Sequence, residues 1–444
     1  MMQNITKAVD KHRKLILDAE RYMWANPETG YKEVKTSAYM AEQFEKLGYQ
    51  LTYAEGITGF TTEIDTGREG PTLLIMAELD SIICPSHPEC NPETGAVHSC
   101  GHHAQCAALL GIAAALKEPG MLDALCGKIR LCTVPAEELL EIDFRTKLRE
   151  QGVIKYMGGK SEFLHRGLFD GVDLCFLFHT GGQSYVNEGA VGCIAKKIIY
   201  KGKAAHAGGS PWNGNNALYA ATCGLNAVNA LRETFKDSQL IRVHPIITHG
   251  GDMVNAIPER VELESYVRGK TFAAISEVNE RVNRAFTGAA ISLGTNIEIV
   301  DIPGYAPLYN SKGMMEACVE AVHAILPDHQ LADFPFGSGS TDMGDLSCIM
   351  PVVHPHVAGS AGIGHGNNYQ IVDPEMACVG SAKWQLALAK LLLENGAARA
   401  KQIIADFKPP FASAKEYLDY MDSLNCSGNR VEYREDGTAS AKLY

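Results

Sequence analysis

Apolar residues recur every three to four positions from about Thr6 to Trp24 and again from about Lys35 to Leu47, the spacing of helices that bury one face. The segment PTLLIMAEL is instead a continuous apolar run of strand length, and KIRLCTV and VDLCFLF are two more. A helical stretch from about Ala104 to Leu116 separates the first two runs, and a polar insertion separates the second and third. Strands that are apolar on both sides and alternate with helices predict a mostly parallel sheet covered on both faces.

The pattern changes after Ile194. IAKKIIYKGKA reads as a strand, Asn216 to Thr234 as a helix, QLIRVHPIITH and RVELESYVRG as consecutive strands, Phe272 to Phe286 as a helix and NIEIVDI as a last strand. That order is β-α-β-β-α-β, the split βαβ or ferredoxin-like arrangement. The α/β pattern then resumes with a helix from Ser311 to Ile325, the segment IMPVVHPHV and a helix from Pro374 to Glu394. The expected fold is therefore α/β, with a discontinuous catalytic domain over 1–191 and 305–444 and an inserted α+β domain over 192–304 acting as lid and dimerisation element. Residues 405–444 have weak periodicity and receive no role.

A chain of 444 residues exceeds the usual size of one core, which agrees with two domains. Its 46% hydrophobic and 21% charged residues are ordinary globular values. The net charge of -12 comes without a basic stripe and argues against a nucleic-acid partner. The first residues contain no apolar signal-peptide core, and no apolar run has the length of a membrane span. The thirteen cysteines are odd in number and lack paired spacing, so a reducing cytoplasm is expected, with most thiols serving as small core groups.

Position along the strands then brings in chemistry. Asp80, the Glu137-Glu138 pair and His179 each fall just beyond the C-terminal end of a predicted parallel strand, the edge where ligands bind in open α/β sheets. Cys100 and His102 lie in the loop SCGHHA before a helix, and His365 lies in the Gly-rich loop GIGHGNN; both loops could join that edge. Thiolate, imidazole and carboxylate together suit zinc or another first-row metal better than magnesium or calcium. Five ligands exceed one tetrahedral site and suit two ions sharing a bridging group. Glu137 is then the spare carboxylate, placed to handle the proton of water as general base. Taken singly, Cys-x-His is weak evidence, a Glu-Glu pair is usually solvated surface and a lone His in a Gly-rich loop is usually a turn residue; the joint placement favours the metal site. Cys84, His87, Cys90 and His98 offer a structural zinc alternative, but their spacing matches no standard pattern, and a pocket-lining loop is the better reading.

The same residues carry a resemblance. RYMWANPETGYKEVKTSAYMAEQFEKLGY, AELD, HSCGHHA, VPAEE, LFH and GHGNN follow one another as in the M20 metallopeptidase family, and the chain resembles its aminoacylase-like branch from Arg21 to Leu393. STDMGDLSCIMPVVHP resembles the aminobenzoyl-glutamate hydrolase group within that branch. The resemblance implies Cys100, His102, Glu138, His179 and His365 as metal ligands, Glu137 as the base and Asp80 as an orienting carboxylate behind the metals. In the inserted domain it implies His206 as a stabiliser of the tetrahedral oxyanion, supplied in dimeric relatives by the partner subunit. It also implies Asn255 and Arg268 as groups that bind the substrate's carboxylate or carbonyl; without it, a surface histidine and a strand-end charge would be the ordinary readings. Three departures stand out: Glu78 replaces the branch's usual Asp, His103 and Gln105 replace Asp and His after Cys-Gly-His, and an insertion over 139–158 follows Glu138, expected near the pocket mouth.

The expected protein is a metal-dependent amidohydrolase of N-acyl or N-aroyl amino acids, holding two divalent ions, zinc or manganese first and cobalt or nickel next. It would work on small amide substrates as a homodimer or higher oligomer. A dipeptidase or aminopeptidase of the same family is the nearer alternative, and a catalytically silent binding protein the more distant one.

Overall fold

The computed structural model of the chain describes residues 2–443, which divide into two compact units. One takes in the chain up to Gly189 with Leu308–Gly337 and Thr341–Lys415; the other takes in Ala190–Pro307, Ser338–Ser340 and the chain from Glu416 onward.

In the first unit, six strands lie in the order Thr52–Tyr53, Phe60–Asp65, Lys128–Val134, Thr72–Glu78, Leu174–Phe176 and Val352–Val353. The last four run parallel, and the first two join them antiparallel. Thr72–Glu78 is buried at every position, as its unbroken apolar run requires. The helix His102–Leu116 is likewise buried at all 15 residues. Small side chains make this possible: at Gly111 a Cβ would overlap Ile16 of the neighbouring helix Arg13–Trp24. Trp384 lies in the same core, and its indole N–H donates to the Cys318 carbonyl at 2.8 Å. Trp384→Ala leaves a cavity and an unpaired carbonyl and is expected to cost about 3–5 kcal/mol in denaturant unfolding. A loss under about 1 kcal/mol would show that the site collapses around the smaller residue.

Two elements differ from the sequence reading here. The helix expected from Thr6 to Trp24 is two helices, Met2–Lys11 and Arg13–Trp24, because His12 leaves helical geometry at φ -101° and ψ 12°. VDLCFLF contributes only Leu174–Phe176 to the main sheet; His179–Gly181 pairs in parallel with His356–Ala358 in a separate ladder beyond the sheet's end.

The second unit is an antiparallel sheet in the order Arg242–Val243, Arg260–Gly269, Gly192–Lys201, Asn296–Tyr305 and Cys426–Asn429, with Ile246–His249 also on Arg260–Gly269. Its helices Ala217–Leu231 and Phe272–Ser292 start at side-chain caps: Asn216 accepts from the Leu218 and Tyr219 N–H groups, and Thr271 from that of Ala274. QLIRVHPIITH forms two short strands rather than one, broken at Pro245, which has no N–H for the ladder. The tail also departs from expectation. Its expected place is with the catalytic portion, whereas from Glu416 onward it lies in the second unit, where Glu298 pairs with Asn429 and Asp301 with Cys426. CSGN has no apolar period of its own, and the exposed flank of Asn296–Tyr305 supplies the pairing.

Candidate metal centre

Because Lys128–Val134, Thr72–Glu78 and Leu174–Phe176 are parallel neighbours, the residues that follow them emerge at one end of the sheet. Glu78 ends its strand and Asp80 follows two residues later. After Val134 the chain turns sharply at Ala136, a non-glycine residue at φ +55°, and this turn presents Glu137 and Glu138. Gly101 at φ +100° opens the helix that begins with His102; a side chain there would also collide with the Tyr369 hydroxyl, so the motif requires glycine. His365 is itself at φ +62°, and its N–H donates to the Ser99 carbonyl at 2.9 Å, tying its loop to the Cys100 segment.

The five expected ligands converge. Cys100, His102 and His179 form one group and Cys100, Glu138 and His365 a second, with the candidate donor atoms of each within 4.8 Å of one another. A third group joins Glu78, His102 and Glu137. Cys100 Sγ lies 3.4 Å from His179 Nε2, and bonds of about 2.3 Å to sulfur and 2.0 Å to nitrogen on a tetrahedral ion set those atoms about 3.5 Å apart. Glu138 Oε1 and His365 Nε2 approach to 2.9 Å without the alignment of a hydrogen bond. His102 Nε2, fully buried, makes no hydrogen bond either, although Glu78 Oε2 is 3.3 Å and Glu137 Oε2 3.9 Å away. Glu138 Oε1 and His102 Nε2, buried beside other donors without a hydrogen bond of their own, fit a shared cation, and the soft and borderline donor set fits zinc or a neighbouring first-row metal.

Behind the donors, Asp80 is fully buried and uses both oxygens. Oδ1 lies 3.1 Å from His102 Nδ1, and Oδ2 accepts from the Glu138 N–H at 2.8 Å. With Nδ1 engaged, His102 turns Nε2 toward the site. Arg145, from the insertion, is buried and donates to the Glu138 carbonyl and, at 2.8 Å, to that of Met157. The insertion thus reaches beneath the Glu138 turn.

The electrostatics are uneven. Burial and Glu138 push the Cys100 thiol up, but His102 and His179 outweigh them and set it at about 6. Burial also opposes ionisation of Glu138, and His365 overcomes it to hold the carboxyl at about 2. Glu137 moves the other way: burial, then the Glu78 and Glu138 carboxylates, drive it well above the usual carboxylate range. Divalent ions bound there would require the imidazoles as neutral ligands and would favour the thiolate further.

The remaining expected residues lie in the second unit. His206 is exposed; its Nδ1 accepts from the Gly208 and Gly209 N–H groups at 3.1 and 2.9 Å, which leaves Nε2 as the outward donor of the neutral ring. The Ala207 N–H donates to the Asn255 carbonyl at 2.9 Å, so His206 and Asn255 share one corner. Arg268 is half-buried in its strand, opposite Cys193 and Arg242, with the guanidinium 5.4 Å from the Tyr266 ring centre. The zinc alternative is not assembled among the described residues. His87 bonds the Tyr369 carbonyl, His98 packs against His103, and Cys84 and Cys90 turn to Ser86 and the Pro85 carbonyl.

Sequence reasoning missed Glu78, Gln105, Lys160 and Asp342 as partners. Lys160 is fully buried, with Nζ on Glu78 Oε1 at 2.6 Å and on Asp342 Oδ1. Gln105 donates to Glu78 Oε2 at 2.9 Å. The one available signal was that Glu78 and Gln105 both depart from the motifs they occupy.

The sequence profile of Peptidase family M20/M25/M40 matches residues 74–388. The human Xaa-Arg dipeptidase is 27% identical over 379 residues, covering 82% of this chain and 81% of that protein. One of the two polypeptides of the Escherichia coli p-aminobenzoyl-glutamate hydrolase is 26% identical over 304 residues, covering 66% of this chain and 59% of that one. Among solved structures, a dinuclear metal-binding peptidase of the M20 family from Bacillus subtilis superposes with a TM-score of 0.64 at 20% identity, over 86% of this chain and 99% of that one.

Proposed function

From its membership of Peptidase family M20/M25/M40, whose members hydrolyse amide or peptide bonds, we propose that this chain is a two-metal amidohydrolase that cleaves the amide of an N-acyl or N-aroyl amino acid. The observation that carries the reading is Cys100 standing in both ligand groups, with Glu137 beside them. Cys100, His102 and His179 would hold one ion, Cys100, Glu138 and His365 the other, and zinc or manganese is the first choice for both. Bound there, the ions would polarise the scissile carbonyl and acidify the attacking water.

Glu137 takes a proton from that water as its oxygen adds to the amide carbon, then delivers it to the leaving nitrogen as the C–N bond breaks. Burial and the neighbouring carboxylates raise the proton affinity of Glu137, which suits a group that must accept a proton before it releases one. The outward Nε2–H of His206 is a donor for the developing oxyanion. Asn255 and Arg268 hold the substrate's carbonyl and carboxylate. The chain works as a homodimer in this reading, which the exposed Trp212, Tyr219, Ile246, Ile247 and Val254 of the second unit support. A cytoplasmic setting accords with thirteen free thiols.

A p-aminobenzoyl-glutamate and an Xaa-Arg dipeptide both carry a carboxylate next to the nitrogen of the scissile amide. The relative named for the second keeps a dipeptidase as the other reading. Protein loaded with manganese, zinc or cobalt and assayed against N-acyl amino acids, N-aroyl amino acids and dipeptides separates the two. Arg268→Ala is expected to weaken carboxylate-bearing substrates by about 10- to 100-fold, the worth of a charge-assisted pair, and their neutral amide analogues far less. Equal losses on both would remove Arg268 from carboxylate recognition.

A further inference from the structure

Glu78 sits where a sixth metal ligand could sit. Its Oε2 is 3.3 Å from His102 Nε2, an ordinary separation for two donors on one ion, and it forms a group of donor atoms with His102 and Glu137. Three contacts with Lys160 and Gln105 hold it. Oε1 accepts from Lys160 Nζ at 2.6 Å, Oε2 accepts from Gln105 Nε2 at 2.9 Å, and the Glu78 N–H donates back to Gln105 Oε1 at 3.2 Å. The Gln105 amide therefore grips backbone and side chain of Glu78 together, which makes the two motif departures one paired feature.

Lys160 is held in turn. Its Nζ also bonds Asp342 Oδ1, and its backbone N–H donates to Asp342 Oδ2 at 3.0 Å. Lys160, Glu78 and Asp342 are all fully buried and come from segments far apart in sequence: the start of the helix Gly159–His165, the end of the strand Thr72–Glu78 and the residue before the helix Met343–Ser347. A buried lysine between two carboxylates is an expensive arrangement that a purely apolar core would avoid. It is not needed to close the sheet, which Thr72–Glu78 already does through its ladders.

We propose that Lys160, with Gln105, is a positioning residue that keeps Glu78 out of the metal coordination sphere, so that a place there stays open for water and substrate carbonyl. A catalytic ion needs such an open position, whereas a closed set of protein ligands makes a structural site. Released, the Glu78 carboxylate would be a strong, permanently placed ligand competing for that position. The inference rests on the two-metal reading above and adds to it a residue from the GGKSEF segment.

The test compares wild type, Lys160→Met, Lys160→Met/Glu78→Gln and Gln105→Leu, each loaded with cobalt. Four readouts apply: ions per chain, the visible absorption of the bound cobalt, the rate of metal loss to excess EDTA, and kcat against KM. Lys160→Met is expected to keep two ions, lose visible absorption as the coordination number rises, and release metal about tenfold more slowly. Its kcat should fall at least tenfold with little change in KM. Glu78→Gln in that background should reverse all three shifts, since an amide is a poor ligand for these ions. Gln105→Leu frees one oxygen without stranding a charge and should move each readout the same way by less; it carries the test if Lys160→Met does not fold. Faster metal loss in Lys160→Met or Gln105→Leu, or absorption unchanged from wild type, would reduce the lysine to a structural ion pair. Wild type that takes up no metal would instead remove the two-metal reading, an outcome distinct from wild type and variant behaving alike with two ions each.

Discussion

Glu137→Gln is expected to lower kcat by about 10²- to 10⁴-fold while leaving two ions per chain. The argument rests on where the two adjacent carboxylates point. The turn at Ala136 sends Glu138 against His365 and Cys100, whereas Glu137 Oε2 stays 3.9 Å from His102 Nε2, outside the first two ligand groups. Their proton affinities divide in the same sense, Glu138 held at about 2 by His365 and Glu137 driven well up by burial and its carboxylate neighbours. Pairs of titratable groups pushed apart in this way mark different roles. A glutamine keeps the shape of Glu137 but can neither take nor return a proton, so the effect falls on the rate and leaves metal in place. Glu138→Gln should show the converse, losing metal first and activity as a consequence. Metal analysis after gel filtration, run beside kcat and KM, separates the two. Equal metal loss in both variants would mean that the roles are misassigned.

Much of this arrangement could be read from local pattern, because a strand's end announces where its following residues emerge. KIRLCTV and RVELESYVRG became the strands Lys128–Val134 and Arg260–Gly269, and the buried runs gave a sheet whose parallel part matches expectation. The convergence of the five expected donors, with Asp80 behind them, was legible for the same reason: they stand at strand ends and in loops where a polar residue has no packing role. Lys160 was not. In GGKSEF it is one charged residue at a helix start, and such a lysine is ordinarily solvated; only the tertiary approach of Glu78 and Asp342 gives it meaning. Asp342 is hidden likewise, since an acid before a short helix reads as a cap. The strand Cys426–Asn429 has no period to detect, because its structure comes from the edge it joins. The split of the first helix at His12 is also invisible to a spacing argument, since both halves keep an apolar face against the same core.

Cys100→Ser is expected to leave one ion or fewer per chain, the largest change in metal content that a single substitution here can produce. Cys100 is the member common to the two ligand groups, so its loss touches both ions, while removal of His179 or His365 touches one directly. The thiol is poised for this use. Set at about 6, it is mostly thiolate at neutral pH, and the thiolate is the form that binds metal. Serine has nearly the same shape, but its hydroxyl stays protonated and is a hard, weak ligand for zinc-like ions. The ring of His179, 3.4 Å from the sulfur, would remain in place, because Nδ1 is bonded to the Thr180 carbonyl at 2.8 Å and its strand is paired with His356–Ala358. The unfolding midpoint without metal should change little, since Cys100 is only partly buried at the margin of the small cluster of Trp24, Ile82, Val97 and Tyr369 and serine nearly keeps its shape. The metal-induced rise in that midpoint should shrink, because ligand that binds only the folded state stabilises it in proportion to occupancy. Elemental analysis and thermal unfolding, each with and without added zinc or manganese, measure both effects. A Cys100→Ser protein that still holds two ions and shows the full stabilisation would take the sulfur out of the metal site and leave the bridging position to another group.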